Sequence, residues 1–263
     1  SLMEKTSIRI ANGQGFWGDS VDAPKSLLEY GNIDYLTLDY LAEVTLSIMQ
    51  KQRLKNPDLG YAKDFVNLIV ENIDNIVNNK IKIISNAGGV NPKACKDKIL
   101  EKIPKDSLKI AIVSGDDIYD DLDRIIEDGN ELKNMYTNEH ISKIKDDIYS
   151  ANVYIDSFSV ADALNSGADI ILCGRISDPG LVVAPCIYEF KWSRSDYDKL
   201  ASATVAGHIV ECGAQCTGGN YTNWEDLKDL DNIGYPIAEI KQNGEFLITK
   251  PENTGGIINR QTI

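Results

Sequence analysis

Short apolar runs alternate along the chain with longer segments whose apolar residues recur at helical spacing. The clearest run consists of Ile170, Ile171 and Leu172 and is bounded by Gly167 and Gly174. Such a short, continuous run is typical of a parallel strand that is covered on both faces. The strands predicted from this pattern cover residues 7–11, 35–41, 81–85, 108–113, 153–155 and 169–173.

Helical segments separate these strands. Residues 62–77 are predicted to form one helix because Phe65, Ile69, Ile73 and Ile76 make a single apolar stripe. Further helices are predicted over 42–54, 160–164 and 197–211. The alternation of strands and helices predicts an α/β fold with a mostly parallel, doubly wound (Rossmann-like) sheet.

The pattern changes near the end of the chain. Residues 235–250 alternate apolar and polar positions on both sides of Gln242, Asn243 and Gly244. Alternation around such a turn predicts a β-hairpin, which forms an antiparallel appendage to the parallel sheet.

The predicted organisation is a doubly wound α/β domain over 1–233, followed over 234–263 by the hairpin and the start of a further segment. Ile257 and Ile258 begin an apolar stripe that lacks the length of a stable helix. A truncated domain is therefore expected, together with a homo-oligomer that covers the apolar surface left exposed.

Composition narrows the class of protein. The 263 residues are 43% hydrophobic and 25% charged, which is typical of a soluble globular protein with one core. The chain has 27 basic and 40 acidic residues, and its net charge of −13 disfavours nucleic acid and anionic membranes as partners. A small anionic metabolite remains compatible with this charge, because a single pocket can be locally positive.

Cysteine usage and hydropathy indicate the compartment. The five cysteines are odd in number and lack CxxC spacing, which argues against a disulfide framework and a structural zinc site. No run approaches the roughly 18 apolar residues of a membrane-spanning helix, and no signal-peptide pattern is present. A cytoplasmic protein without a membrane partner is expected.

Polar and glycine residues follow the first predicted strand. Asn12, Gly13 and Gly15 stand where a phosphate-binding loop presents its backbone N–H groups. The match to GxGxxG is partial, because the bulky Phe16 and Trp17 lie inside the loop. Ligand binding and a plain turn are both open interpretations.

The second and third strands end in further candidates. Asp39 and Glu43 either face one site as a carboxylate pair or only favour the start of a helix. Asn86, Gly88 and Gly89 follow the third strand. The two glycines allow close approach of the backbone to a ligand, and the asparagine offers a side-chain amide.

Two acids, Asp116 and Asp117, follow the fourth strand. Neighbouring carboxylates at the carboxyl end of a strand bind Mg²⁺ or act as acid and base. The alternative is a helix cap followed by a solvated acid. Mg²⁺ is therefore a candidate cofactor.

The run 170–172 leads into Gly174, Arg175 and Asp178. Arg175 stands where open α/β sheets bind ligands. A guanidinium group suits bidentate contact with a carboxylate or phosphate. Arg175 is therefore expected to bind the anionic group of a metabolite.

The last predicted helix carries His208, with Glu211 three residues later on the same face. This pair suits an oriented general base or a metal site, and a structural histidine is the alternative. The loop after the helix offers small and polar residues to the same site: Gln215, Thr217, Gly218 and Gly219.

Seven segments occur in a characteristic order: GFWGD (15–19), LDYLAE (38–43), SNAGGVNP (85–92), SGDD (114–117), GADIILCGRISD (167–178), AGHIVECGAQCTGG (206–219) and KPENTGG (250–256). In this combination the chain resembles the acyclic terpene utilisation (AtuA-like) family, a domain-of-unknown-function group named for growth on citronellol and geraniol. The resemblance covers essentially the whole chain. It implies a place beside acyl-CoA catabolism without assigning a reaction, and family members typically continue past the TGG segment.

Carried over by motif, the resemblance implies a site made of Asn86, Gly88, Gly89, Asp116, Asp117, Gly174, Arg175, Asp178, His208, Gln215, Thr217, Gly218 and Gly219. Two functions follow as expectations. One is an enzyme that acts on a carboxylate or acyl-CoA, with Arg175 binding the anion and Asp116 or Asp117 acting as base or Mg²⁺ ligand. The other is a non-catalytic metabolite-binding or assembly subunit, because a nucleophile elbow and a complete dinucleotide fingerprint are missing.

Overall fold

The computed structural model describes residues 5–14, 22–40, 43–113, 157–174, 178–211 and 235–249. Within these ranges the strands are β1 (Ser7–Gln14), β2 (Tyr35–Asp39), β3 (Lys82–Ser85), β4 (Ile110–Val113), β5 (Ile170–Cys173), β6 (Ile237–Lys241) and β7 (Phe246–Thr249). The helices in the same ranges are α1 (Asp22–Tyr30), α2 (Glu43–Lys55), α3 (Lys63–Glu71), α4 (Ile73–Asn78), α5 (Pro92–Lys102), α6 (157–165), α7 (Asp178–Phe190) and α8 (Tyr197–Glu211). Within the described ranges, no helix has the length and apolar character needed to cross a membrane.

The strands form a single sheet in the order β4-β5-β3-β2-β1-β6-β7. The first five strands of this order are parallel, whereas β6 runs antiparallel to β1 and β7 runs antiparallel to β6. The predicted α/β class and mostly parallel sheet are therefore confirmed. The predicted strand at 153–155 lies outside the described residues.

The C-terminal hairpin is confirmed as well. Its turn closes where the Gly244 amide donates to the Lys241 carbonyl at 2.9 Å, and Gly244 has a φ of 91°. That left-handed conformation is one that glycine adopts without steric cost. Because β6 pairs with β1, the hairpin continues the same sheet. The division of the chain at residue 233 stays a prediction.

Two apolar cores lie on opposite faces of the sheet. One core joins the sheet to α6, α7 and α8, and we call that side the α7 face. The other core joins it to α1, α2, α3, α4 and α5, and we call that side the α3 face. Side chains alternate between the two: Ile8 and Ile10 of β1 are in the α7-face core, and Ala11 is in the α3-face core.

The segment predicted as one helix over 62–77 is interrupted at Asn72, which has a φ of −114°. Both the Asn72 backbone N–H and its Nδ2 donate to the Leu68 carbonyl, at 3.2 and 2.9 Å. An asparagine side chain that bonds to a nearby carbonyl competes with regular helical geometry. The apolar stripe continues across the break, since Phe65, Ile69 and Ile76 are all buried.

The first strand is longer than predicted. It was expected to end at residue 11, yet it pairs with β2 as far as Gln14, which lies opposite Asp39. On the other side of the strand, the backbone N–H of Asn12 donates to the Pro236 carbonyl at 3.1 Å. Asn12 and Gly13 therefore belong to a strand rather than to the loop that follows it.

Candidate functional site

Strands β3 and β5 are neighbours in the sheet, and the connections that follow them run to opposite faces. The loop after β3 leads to α5 on the α3 face, and the segment after β5 leads to α7 on the opposite face. Because neighbouring loops diverge, a crevice forms outside the strand ends at such a point, and open α/β sheets bind ligands there. The candidate site therefore lies around the ends of β1, β2, β3 and β5.

Asn86, only 2% exposed, fixes the carboxylate at the end of β2. Its Nδ2 donates to Asp39 Oδ1 at 2.7 Å, and its Oδ1 accepts from the Tyr40 backbone N–H at 2.7 Å. A carboxamide is suited to this position because it supplies one donor and one acceptor at once. Asp39, which is partly buried, is thereby held at the edge of the sheet.

Just before Asn86, the buried hydroxyl of Ser85 makes two hydrogen bonds to the backbone. Ser85 Oγ donates to the Leu38 carbonyl at 2.7 Å and accepts from the Ala87 amide at 3.0 Å. Ser85 lies next to Leu38 in the pairing of β2 with β3. These bonds keep the ends of the two strands, and thus Asp39 and Asn86, in register.

A second buried polar pair lies on β1 and β2. Asn12 is 7% exposed and faces the fully buried Thr37 across the parallel strands. Thr37 Oγ1 donates to Asn12 Oδ1 at 3.1 Å, and it also lies 3.3 Å from the Ala11 carbonyl. Within the described ranges, Nδ2 of Asn12 has no hydrogen-bond acceptor.

Asn12 Nδ2 is not among the buried atoms without a partner, which within the described ranges are Asn72 Oδ1 and Thr249 Oγ1. The Asn12 carboxamide is a polar group at the carboxyl edge that can still donate a hydrogen bond.

The two polar pairs share one face of the sheet. Tyr35 of β2 belongs to the α7-face core, so Thr37 and Asp39 point to the same side. Asn12 points there too, since Ile8 and Ile10 of its strand do. From strand geometry, the Cα atoms of Asn12 and Asp39 are roughly 8 Å apart.

Helix α7 begins above these residues. It packs on β1 and β2, and near its other end Glu189 Oε1 accepts from the Tyr35 hydroxyl at 2.7 Å. Since Tyr35 begins β2 and α7 runs against the strand direction, Asp178 at the start of α7 lies at the carboxyl edge. The N-terminus of a helix carries a partial positive charge, which favours negative charge in the site.

The predicted glycines have packing roles in the structure. A Cβ atom on Gly13 would lie 2.5 Å from Cε2 of Tyr235, one on Gly88 would lie 2.7 Å from Cβ of Pro92, and one on Gly89 would overlap the Met49 sulfur. The space beside these three residues is thus filled by protein. Whether their backbone N–H groups also bind a ligand stays a prediction.

Aromatic side chains fill the α3 face beneath the site. Burial raises the pKa of the Tyr235 phenol to about 12 and also raises the pKa of the Tyr40 phenol. Tyr40 packs edge-on against Phe65, with ring centroids 5.8 Å apart. Both phenols therefore stay protonated near neutral pH and act as packing groups with a neutral hydroxyl.

Burial also raises the pKa of a thiol in the α3-face core, that of Cys95. This pKa is raised to about 12, because the side chain has no exposure to solvent. A thiol with such a pKa carries almost no thiolate near neutral pH and is a poor nucleophile. Cys95 is therefore a core residue.

Eight of the predicted site residues lie within the described ranges at the carboxyl edge: Asn12, Gly13, Asp39, Asn86, Gly88, Gly89, Gly174 and Asp178. His208 is described as well, and its side chain is exposed on α8, while Ala203, Ala206 and Val210 of that helix face the core. Its place in a site with Asn12 and Asp39 stays a prediction. The other predicted site residues lie outside the described residues: Gly15, Asp116, Asp117, Arg175, Gln215, Thr217, Gly218 and Gly219.

The proposed Mg²⁺ ligands Asp116 and Asp117 are among those outside residues. Within the described ranges, no group of three His, Cys, Asp or Glu side chains is arranged to hold a metal ion. The magnesium site therefore stays a prediction.

Thr37 and Tyr235 were missed by the sequence analysis. A signal existed for Thr37, since a polar residue inside the apolar run 35–38 must find a partner when the strand is buried. Tyr235 gave no such signal, because its contact with Gly13 depends on β6 pairing with β1.

A comparison with protein-family models gives a match over most of the chain. The family model described as "Acyclic terpene utilisation family protein AtuA" matches residues 8–263, which is nearly the whole chain. Neither the comparison with curated proteins nor the comparison with solved structures gives a significant match.

Proposed function

Because the chain belongs to the acyclic terpene utilisation family, we propose that it is an enzyme of acyclic terpene or related acyl-CoA and carboxylate catabolism. Family membership suggests the pathway and leaves the reaction open. The substrate in this proposal is a small anionic metabolite, such as an acyl-CoA, bound at the carboxyl edge of the sheet.

The polar side chains held at the carboxyl edge are the main support for this proposal. The Thr37 hydroxyl holds the carboxamide oxygen of Asn12, and Asn86 orients the carboxylate of Asp39. Polar groups that are fixed at the carboxyl edge of an open α/β sheet are typical of a site for a polar small molecule.

The remaining parts of the proposal rest on sequence motifs. Arg175 binds the anionic group of the substrate, since a guanidinium forms two parallel hydrogen bonds with a carboxylate or phosphate. Asp116 and Asp117 bind Mg²⁺ or take part in proton transfer. Gly174 and Asp178, on either side of Arg175, lie at the carboxyl edge.

Ligand-dependent thermal stability tests this proposal. The chain is heated with and without a panel of acyl-CoA esters and free carboxylates, each in the presence and absence of Mg²⁺. A ligand present at 100 times its Kd stabilises the folded state by about 2.7 kcal/mol, which corresponds to a rise in Tm of roughly 5–10 °C for a chain of this size.

Matched variants show whether the ligand binds at the proposed place. Arg175→Ala should lose most of the ligand-induced shift, and Asp97→Asn, which changes an exposed carboxylate on α5, should keep it. Absence of any shift with every ligand would contradict the proposal. Binding without turnover of any ligand would instead favour a non-catalytic metabolite-binding or assembly subunit.

A further inference from the structure

We propose that a cleft at the amino edge of the sheet, where the parallel strands begin, binds the phosphate group of a small molecule. The cleft has a volume of about 410 Å³, and five described residues line it: Thr6, Lys199, Lys241, Gln242 and Asn243. This volume lies within the range of small-molecule sites, which is about 300–1,000 Å³. The inference does not rest on the proposed function, because the cleft is a separate place on the molecule.

The cleft lies at the opposite edge of the sheet from Asn86 and Asp39. Thr6 precedes β1, and β6 runs antiparallel to β1, so the end of β6 at Lys241 lies beside the start of β1. Asn12 follows Thr6 along the same strand at a distance of roughly 20 Å, given the rise of an extended chain. A phosphate group in the cleft therefore does not reach the polar side chains at the carboxyl edge.

Hydrogen bonds between distant parts of the chain hold the walls of the cleft. The Gln242 backbone N–H donates to the Thr6 carbonyl at 3.1 Å, and Nε1 of the buried Trp192 donates to the Gln242 carbonyl at 3.0 Å. The hydroxyl of Ser202 on α8 donates to the Gly244 carbonyl. These bonds join the start of β1, the β6–β7 turn and α8, so the cleft is formed before a ligand arrives.

Close packing brings the two lysines of the cleft to the same place. A Cβ atom on Gly244 would lie 3.2 Å from Lys199 Cα and 3.5 Å from Ser202 Cβ. The turn between β6 and β7 therefore packs directly against the first part of α8. Lys199 comes from that helix and Lys241 from the strand that leads into the turn, and both line the cleft.

The ammonium groups of these lysines can still donate hydrogen bonds. Lys199 Nζ lies 3.9 Å from Asp196 Oδ1, and Lys241 Nζ lies 3.9 Å from Glu245 Oε2. A charge-assisted N–H···O bond is about 2.7–2.9 Å long, so neither distance is a hydrogen bond. The Asp196 carboxylate instead accepts from the Ser193 backbone N–H at 2.7 Å.

The other three residues that line the cleft are neutral hydrogen-bonding groups. Thr6 offers a hydroxyl, and Gln242 and Asn243 offer carboxamides. Asn243 Oδ1 accepts from the Glu245 backbone N–H at 3.0 Å, so Nδ2 is the end that can donate to a ligand. None of the five described residues that line the cleft is acidic.

This set of donors fits a phosphate better than a carboxylate. A phosphate ester offers three acceptor oxygens and close to two negative charges near neutral pH, which matches two ammonium groups with neutral donors beside them. A carboxylate offers two oxygens and a single charge. Lysine binds phosphate as a point charge and needs no fixed planar geometry to do so.

Titration with phosphate compounds tests the proposal. The full chain, isotope-labelled for NMR, is titrated at low ionic strength with inorganic phosphate and with AMP. The amide signals of Gln242 and Asn243 should shift in a saturable manner, and those of Asn86 should stay in place. Tighter binding of AMP would identify an organic phosphate as the ligand, and equal binding would identify the phosphate group alone.

Matched variants separate the cleft from general attraction of anions. Lys199→Gln and Lys241→Gln should each weaken phosphate binding about tenfold, because each removes a charge-assisted hydrogen bond. Lys63→Gln and Lys93→Gln change exposed lysines on α3 and α5 and should bind phosphate like the wild type. Acetate, with a single charge, should bind more weakly than phosphate. Circular dichroism should show that all four variants are folded.

Three results would overturn the proposal. One is wild-type affinity for phosphate when Lys199→Gln and Lys241→Gln are combined. Another is an equal loss of affinity in Lys63→Gln or Lys93→Gln, since the chain would then attract anions without a specific site. The third is the absence of any shift at Gln242 and Asn243 with both phosphate compounds. Each of these results leaves the proposed function standing, because that function is tested through Arg175→Ala.

Discussion

Thr37 and Asn12 face each other directly across β1 and β2, and the Thr37 hydroxyl donates to the Asn12 carboxamide oxygen at 3.1 Å. Both side chains are buried, and most of the other buried side chains of the sheet are apolar. A buried polar pair of this kind is tolerated in a core only when its hydrogen bonds are made. The pair thus links the stability of the sheet to the orientation of a polar side chain at its carboxyl edge.

Replacing Thr37 by valine should destabilise the fold. The substitution preserves shape but leaves Asn12 Oδ1 without its donor, and a buried group that loses its partner costs about 1–3 kcal/mol. Thr37→Ser keeps the hydroxyl and should cost less. Urea unfolding of the three proteins checks this ordering, and equal midpoints for Thr37→Val and the wild type would contradict it.

Gly13→Ala should also be destabilising, because the new methyl group would lie 2.5 Å from the Tyr235 ring. Overpacking of this kind usually costs about 1–3 kcal/mol. Tyr235→Leu shortens the opposing side chain and should make the alanine better tolerated. A double-mutant cycle measures the coupling of the two substitutions. Strictly additive effects would show that the predicted clash does not occur.

Burial of Tyr235 makes stability depend on alkaline pH. The pKa of its phenol is raised from 10 to about 12 in the folded chain. Above pH 10 the unfolded chain therefore loses this proton while the folded chain keeps it, so the free energy of unfolding falls as pH rises through that window. The contribution is fully present below pH 10 and falls by roughly 1.4 kcal/mol per pH unit above it.

Tyr235→Phe isolates this effect. The variant has no phenol to ionise, so the pH dependence between about pH 10 and about pH 12 should be weaker than in the wild type. Urea unfolding across this range and the ultraviolet absorbance of phenolate provide two independent measurements. Identical slopes for the two proteins would show that Tyr235 ionises in the folded chain at its ordinary pKa.

The architecture was largely predictable because it depends on local periodicity. The apolar run at 170–172 predicted a buried strand, and the alternation around Gly244 predicted a hairpin. Neither prediction needed knowledge of distant contacts. The break at Asn72 was missed because a single asparagine changes helix propensity only slightly, whereas its bond to Leu68 depends on the local geometry.

The site was less predictable, because it depends on register between strands. Asn12 looked like a loop residue, since asparagine next to glycine is typical of turns. Only pairing with β2 and with the segment before β6 shows that it is buried in a strand opposite Thr37. The Asp39–Asn86 bond likewise joins residues that are distant in sequence. Their polar character identified the candidates, and the topology brought them together.

Self-association through the C-terminal hairpin is the last prediction. Among the described strands β7 pairs only with β6, and Leu247 on β7 is 42% exposed. An edge strand with an exposed apolar side chain can pair with the same strand of a second copy. We therefore expect a dimer whose dissociation appears in light scattering across a dilution series.

Leu247→Glu tests the surface involved. A glutamate at the same position in both copies would place like charges close together across a two-fold axis, so the dimer should dissociate at higher protein concentration. Val205→Glu, on an exposed position of α8, is the matched control and should leave the association unchanged. A chain that stays monomeric at high concentration, or a dimer that is insensitive to Leu247→Glu, would show that β7 is not the interface. Loss of association in Leu247→Glu alone would locate the interface at the β7 edge, far along the sheet from Asn86 and Asp39.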